Sequence, residues 1–358
     1  MNKNAHFSQR LKAARIMRGL SMEKLAALTE GKLTKQAIGK YEKGQSMPES
    51  ENLAALAKAL DVNLEYFFRP IQQTVTLSAP SYRKRRSLAQ KQLNAINEKI
   101  RDHVERYLQI ESIFPPERFP SLRLPELKGR QISEIEQVED LANKVRTMWN
   151  LGYAPIDNLT EVLEDHHVII VQIEGDKKFD GLSCWANNEI PIVVCKKVDT
   201  GDRQRSNIAH ELGHLLIRAD HINEEKAAQR FASALLVPEP VMYHELGQSR
   251  SRLGFEELHD LKHKYGMSLS MWVYRARALG IISESHAKAW FIELRKHNSL
   301  REPGNQVEIE EPQRFKRLVF QAYEEELITE TKAAELLNWT IEQFRRKQMG
   351  ELVRASHS

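Results

Sequence analysis

A chain of 358 residues is too long for one compact core and predicts two or three domains. Its 41% hydrophobic and 28% charged residues exclude a disordered or fibrous class. The net charge of +4 hides a polarity, because residues 1–130 hold 24 Lys+Arg against 13 Asp+Glu and the remainder holds 29 against 36. A basic front on an acidic body predicts a nucleic-acid-facing module joined to something else. No apolar run approaches the roughly 20 residues of a membrane span. Met1 to Ser8 lacks a signal-peptide core, so a cytoplasmic protein with no membrane partner is expected. The two cysteines, Cys184 and Cys195, fall in apolar strand-like stretches and read as buried free thiols in a reducing compartment.

Residues 7–69, within a helix-turn-helix domain expected over 1–70, read as five short helices. Phe7, Leu11, Ala14 and Ile16 begin the first, which ends at Arg18-Gly19. Ser21 caps a second helix over Met22–Leu28, and Thr34 caps a third from Lys35 towards Gly44. Pro48 and Glu49 open a fourth, and Asn63 to Phe68 makes the last. Helix, tight turn and a short polar helix is helix-turn-helix organisation. The order Ser21, Leu25-Ala26, Ile38, Tyr41-Glu42, Gly44, Pro48, Leu53, Leu56-Ala57, Leu60 resembles the phage-repressor-like XRE family. That resemblance implies that the front of the third helix enters a major groove of double-stranded operator DNA. Lys35, Gln36 and Lys40 then become the candidate base readers. Gln9, Arg10 and Lys43 become candidate phosphate contacts, with ordinary solvated polar faces as the alternative.

Residues 71–131 read as a connector. Pro80 to Ser87 is a basic run, and Leu88 to Ile113 has the apolar spacing of an amphipathic connector or homodimer helix. Pro115-Pro116, Pro120 and Pro125 then interrupt any regular element. From Ile132 a second domain is expected to run to residue 250. Helices are expected up to Trp149 and after Pro155, then strands at Val168–Ile173, Gly181–Ala186 and Ile190–Cys195. Asn187-Asn188 should join the last two strands.

The chemistry concentrates in His210-Glu211-Leu212-Gly213-His214. Histidines four apart on a helix share one face and can give one ring nitrogen each to a divalent ion. Glu211 beside them can take a proton from water. A second helix, capped by Asn223 and closed by Pro238, can return a carboxylate from its opening turn, from Glu224 or Glu225. Asp220 and His221 compete for the third place. Sites that use such spacing need a midway glycine, and here that position is Ile217, so the first helix is expected to continue and aim Asp220 away.

HELGHLL followed by ExxAxxFAxxLLxP resembles the ImmA/IrrE metallopeptidases. Carried over by position, the resemblance makes His210, His214 and Glu225 ligands of Zn2+ and Glu211 the catalytic base, with Glu224 as the fallback ligand. It implies a zincin-like α+β metallopeptidase domain in a mostly α chain with a small β-sheet, after an all-α helix-turn-helix domain. An edge strand of such a fold holds an extended peptide, and Leu182 to Asn187 is the candidate here. Tyr243 and His244 are candidates to steady an oxyanion. Residues 251–358 read as a helical C-terminal region, whose last two helices hint at a second helix-turn-helix-like hairpin; a packing or dimer module is preferred. Two readings remain. One is a DNA-binding regulator fused to a zinc endopeptidase that cleaves a specific protein, such as a repressor or toxin–antitoxin partner, or the chain itself. The other is a non-catalytic antitoxin or repressor with a structural or sensory metal site, which a fourth ligand such as His221 would favour.

Overall fold

The computed structural model describes residues 3–70, 74–78, 89–119, 124–174, 179–197, 200–296 and 302–355, so the basic run Pro80–Ser87 lies outside the described residues. In chain order the elements are α1 (Lys3–Met17), α2 (Met22–Leu28), α3 (Lys35–Glu42), α4 (Ser50–Leu60), α5 (Gln90–Glu111), β1 (Arg130–Ile132), α6 (Glu136–Met148), α7 (Leu159–Asp165), β2 (Ile169–Ile173), β3 (Gly181–Ala186), β4 (Ile190–Lys196) and α8 (Gly201–Leu216). Then come β5 (Ile217–Ala219), α9 (Glu224–Leu236), α10 (Glu239–Leu246), α11 (Phe255–Tyr265), α12 (Leu269–Ala278), α13 (Glu284–Lys296), α14 (Arg314–Glu324), α15 (Glu330–Leu337) and α16 (Ile341–Ala355). The fold is mostly α with small sheets, as expected. No described helix is long and apolar enough to cross a membrane.

The chain forms two compact units, neither continuous in sequence: Met1–Leu77 with Arg85–Ser121 and Gln313–Ser358, and Ser78–Lys84 with Leu122–Pro312. The segments read as a connector and as a C-terminal region are therefore each divided between the units. The reason is apolar cover. α5 buries Leu93, Ile96, Ile100, Val104, Tyr107 and Ile110 along one side and packs on α1 and α14. Its far end, Ile110 and the following Phe114, shares a core with Leu318, Val319, Ala333, Leu336 and Phe344 of α14–α16. The helix expected as a connector or dimer seam is thus core of the first unit, and the C-terminal helices are packing elements.

The front of the first unit is built around Phe7, Leu11, Leu25, Ile38, Leu56, Leu60 and Phe67. Ser21 Oγ accepts the Lys24 N–H and Thr34 Oγ1 accepts the Ala37 N–H, so both helices of the helix-turn-helix start where their hydroxyls satisfy an orphan amide.

The second unit holds a three-stranded sheet in the order β2-β4-β3, with β2 parallel and β3 antiparallel to β4. Asn187 and Asn188 close the β3–β4 hairpin at φ 51° and 62°, the left-handed pair of a tight primed turn that asparagine tolerates. Cys184 and Cys195 are buried and free, and burial pushes both thiols up to about 12. β1 and β5 form a separate parallel pair that periodicity does not reveal. Helices α6, α8 and α9 pack as a layer, and α8 also lies against β3 and β4.

Candidate metal centre

Helix α8 buries Ile208, Ala209, Leu212, Leu215 and Leu216. A strap from the end of the unit fixes its start: Gly201 N–H donates to the Val307 carbonyl at 2.9 Å. A Cβ on Gly201 would stand 1.8 Å from the Glu308 carbonyl oxygen, so only glycine fits there. Behind it, Glu310 accepts Arg205 Nη1 at 2.8 Å and the backbone N–H groups of Leu159 and Thr160. The buried face is thereby committed, and His210 and His214 project from the other one.

The expectation that α8 continues past Ile217 is corrected by the structure. The helix stops at Leu216, and Ile217–Ala219 pairs as β5 with β1. β-branched Ile217 enters a strand because Arg130–Ile132 offers main-chain partners. The break lets α9 fold back, capped by Asn223 Oδ1 on the Lys226 N–H at 3.0 Å. Gly213 permits the close crossing, since a Cβ there would lie 3.2 Å from the Ala228 Cα and from Phe231. Glu224 and Glu225 sit in the first turn of α9, where the helix dipole favours carboxylates.

Three predicted residues are brought together. His210 Nε2 and His214 Nε2 are 3.1 Å apart, His210 Nε2 is 3.3 Å from Glu225 Oε2, and His214 Nε2 is 3.5 Å from Glu225 Oε1. Ligand atoms about 2.0–2.1 Å from a tetrahedral zinc stand roughly 3.3 Å from one another. The measured separations, two of them to different oxygens of Glu225, lie close to that value, so the three residues could hold such an ion. Hydrogen bonds from His210, then His214, hold the Glu225 carboxyl well below the usual carboxylate range. Among the described residues, no other His, Cys, Asp or Glu joins this cluster. Glu224 stands outside it, with Oε1 3.3 Å from His214 Nδ1, where it can orient that imidazole. His221 is 88% exposed and paired with Asp220 at 3.3 Å, and Asp220 is held by Gln131 and the Ile132 carbonyl.

Glu211 is 1% exposed and faces β3, where Ser183 Oγ donates to Oε2 at 3.2 Å. Opposite it, a Cβ on Gly181 would meet Glu211 Oε1 at 3.2 Å and the Val194 carbonyl oxygen at 2.9 Å. β3 is an edge strand. Trp185 donates its N–H to Ser78 Oγ at 2.9 Å, and its carbonyl accepts the Ser78 N–H at 2.8 Å.

On the helix-turn-helix, Gln36 and Lys40 are exposed along α3, and so is Lys35, which forms an ion pair with Glu23 and lowers that carboxyl to about 2. A helix-turn-helix family model matches residues 11–67. The model of the IrrE N-terminal-like domain, a peptidase M78 family, matches residues 164–277. The chain joins a helix-turn-helix domain to an IrrE-like peptidase-family domain. No curated protein matches the sequence.

Within the helix-turn-helix domain, Gln9 and Lys43 are exposed, but Arg10 is not a phosphate contact. It is 4% exposed, donates to Glu105 at 2.6 Å and bonds the Arg69 and Pro70 carbonyls. In the IrrE-like domain, Tyr243 directs its hydroxyl to the Leu279 carbonyl at 3.5 Å and His244 is exposed. Neither joins the cluster. Motif reading missed Ser183 and Gly181. A lone serine and a glycine in an otherwise apolar strand are the signal that could have found them, because a buried hydroxyl needs a partner.

Proposed function

We propose that the chain is a cytoplasmic DNA-binding regulator whose IrrE-like domain is a zinc-dependent endopeptidase with a narrow protein substrate, such as a repressor or a toxin–antitoxin partner. The observation that carries this reading is the convergence of His210, His214 and Glu225 at zinc-ligand separations beside a buried Glu211. Three protein ligands are the number found in catalytic rather than closed structural zinc sites. His221 is 88% exposed and paired with Asp220, which supports a site held by three protein ligands.

When bound, zinc supplies a Lewis acid that eases deprotonation of water and polarises a carbonyl. The chain's own residues do the rest. Glu224 orients His214, and Glu225 adds negative charge that offsets a dication. Glu211 takes the proton of the attacking water as the C–O bond forms, then returns it to the leaving nitrogen as the peptide C–N bond breaks. Ser183 and Gly181 fix where that carboxylate points. Main-chain groups of residues two apart face the same edge, so Ser183 offers its N–H and C=O on the side where Trp185 meets Ser78. An extended substrate pairs there, towards Gly181, and displaces Ser78 if it runs further along β3.

The test is Glu211→Gln in the full chain, assayed for cleavage of proteins encoded beside it. The variant should keep its zinc and lose cleavage by about 10²–10⁴-fold. Undiminished cleavage would remove Glu211 from the chemistry.

A further inference from the structure

A cavity of about 470 Å³ opens in the IrrE-like unit, lined from the same two helices that carry the candidate metal ligands. Ser206 lines it from α8 and Gln229 from α9. Ser206 is four residues before His210 and Gln229 four after Glu225, so each stands about one turn, roughly 6 Å, along the ligand-bearing face of its helix. The cavity therefore adjoins the place where a bound peptide is cut.

Its chemistry is unbalanced. Asp202 lines the cavity and is 2% exposed; Oδ2 is 3.2 Å from Lys262 Nζ, while among the described residues neither Asp202 Oδ1 nor the Lys262 ammonium has a hydrogen-bond partner. Glu302, also in the lining, accepts the Leu269 and Ser270 N–H groups at 2.7 and 2.9 Å and lies 3.5 Å from the same Lys262. Among the described residues, Asp202 and Glu302 thus share the Lys262 ammonium. Arg203, also in the lining, pairs with Asp180 at 2.9 Å. A buried acceptor without a partner is unfavourable until a donor reaches it. The remaining wall is Met271, Tyr274 and Phe291, half-buried and suited to an aliphatic stem.

We propose that this cavity is a specificity pocket for a basic side chain of the peptide substrate. The stem lies on Met271, Tyr274 and Phe291, and the cationic head donates to Asp202 Oδ1. This deepens the peptidase reading and rests on it.

The test titrates the zinc-loaded full-length protein, followed by NMR, with Nα-acetyl-arginine amide and with the uncharged Nα-acetyl-norleucine amide. Arginine amide should bind at least tenfold more tightly, and Asp202→Asn should abolish that preference. Because Asp202 also supports Lys262, Gln229→Arg gives a second arm at an exposed position. It should weaken arginine amide several-fold and leave norleucine amide unchanged. Equal binding of the two probes, binding of neither, or a preference that survives both substitutions overturns the assignment. Glu211-dependent cleavage is measured on the same preparations. Cleavage without discrimination rejects the pocket alone, and Asp202-dependent binding of arginine amide without cleavage rejects the peptidase reading alone.

Discussion

Glu211 is held from two sides, because Ser183 Oγ bonds one oxygen and any Cβ on Gly181 would come within 3.2 Å of the other. Gly181→Ala puts a methyl 2.9 Å from the Val194 carbonyl oxygen, a backbone atom that cannot swing aside. The strand must shift, and Glu211 with it. Cleavage should fall by about 10²-fold, the scale of a 1 Å misplacement, while the zinc content stays at the wild-type level; an unchanged rate would show that β3 does not position the carboxylate. At this scale the sequence is informative wherever helical spacing alone brings residues together, as with His210, Glu211 and His214. It is silent where the partner arrives from elsewhere in the chain. Ser183 looks like any strand serine until α8 lies on β3. Arg10 looks like any surface cation until Glu105, 95 residues away, closes over it.

Helix α5 shows the same rule for elements. Its apolar stripe is plain in the sequence, but that stripe fits a connector, a dimer seam or a core helix equally well. What decides is Asp102, buried between Arg106 Nε at 3.0 Å and the Arg69 guanidinium, while Arg106 Nη1 donates to the Leu336 carbonyl at 2.6 Å. Burial by itself would raise the Asp102 carboxyl; Arg106, then Arg69, outweigh it and hold the group well below its ordinary value. A carboxyl depressed on folding stabilises the native state above its unfolded value of about 3.9 and loses that contribution as pH falls further. Asp102→Asn removes the only carboxylate paired with Arg106 among the described residues and leaves Arg69 with Glu105 at 3.9 Å alone, and should cost about 3–5 kcal/mol at neutral pH. In denaturant titrations the gap to wild type should narrow below about pH 4; a gap independent of pH would mean that the charge is not what matters. Three-residue β1 and β5 are too short to carry a periodic pattern, so the end of α8 at Leu216 was also hidden. The long helices α8 and α9 and their caps were legible because propensity, capping and apolar spacing agree.

For the whole molecule, two domains are matched, at residues 11–67 and 164–277, but most of the basic excess of residues 1–130 lies outside the first of them, and the compact units are interleaved in sequence. Linear reading cannot see that α14–α16 supply the cover for α5, because an apolar face does not state its partner. If α3 reads bases, Gln36→Ala with Lys40→Ala should weaken binding to the cognate operator by about 1–3 kcal/mol per lost base contact and affect random duplex less. Equal loss on both, in titrations at one salt concentration, would leave only phosphate electrostatics. The same double variant should keep full zinc content, since among the described residues the candidate ligands His210, His214 and Glu225 all lie on α8 and α9.

The measurement that bears most directly on the account is zinc affinity and stoichiometry for the wild-type chain and Glu225→Gln, purified side by side and read by elemental mass spectrometry with a competing chelator. The wild type should hold one zinc per chain. Removing the α9 carboxylate should weaken the affinity by at least the roughly 10–100-fold that losing an outer partner of a ligand costs. Undiminished zinc binding by Glu225→Gln would contradict a site shared between the two helices.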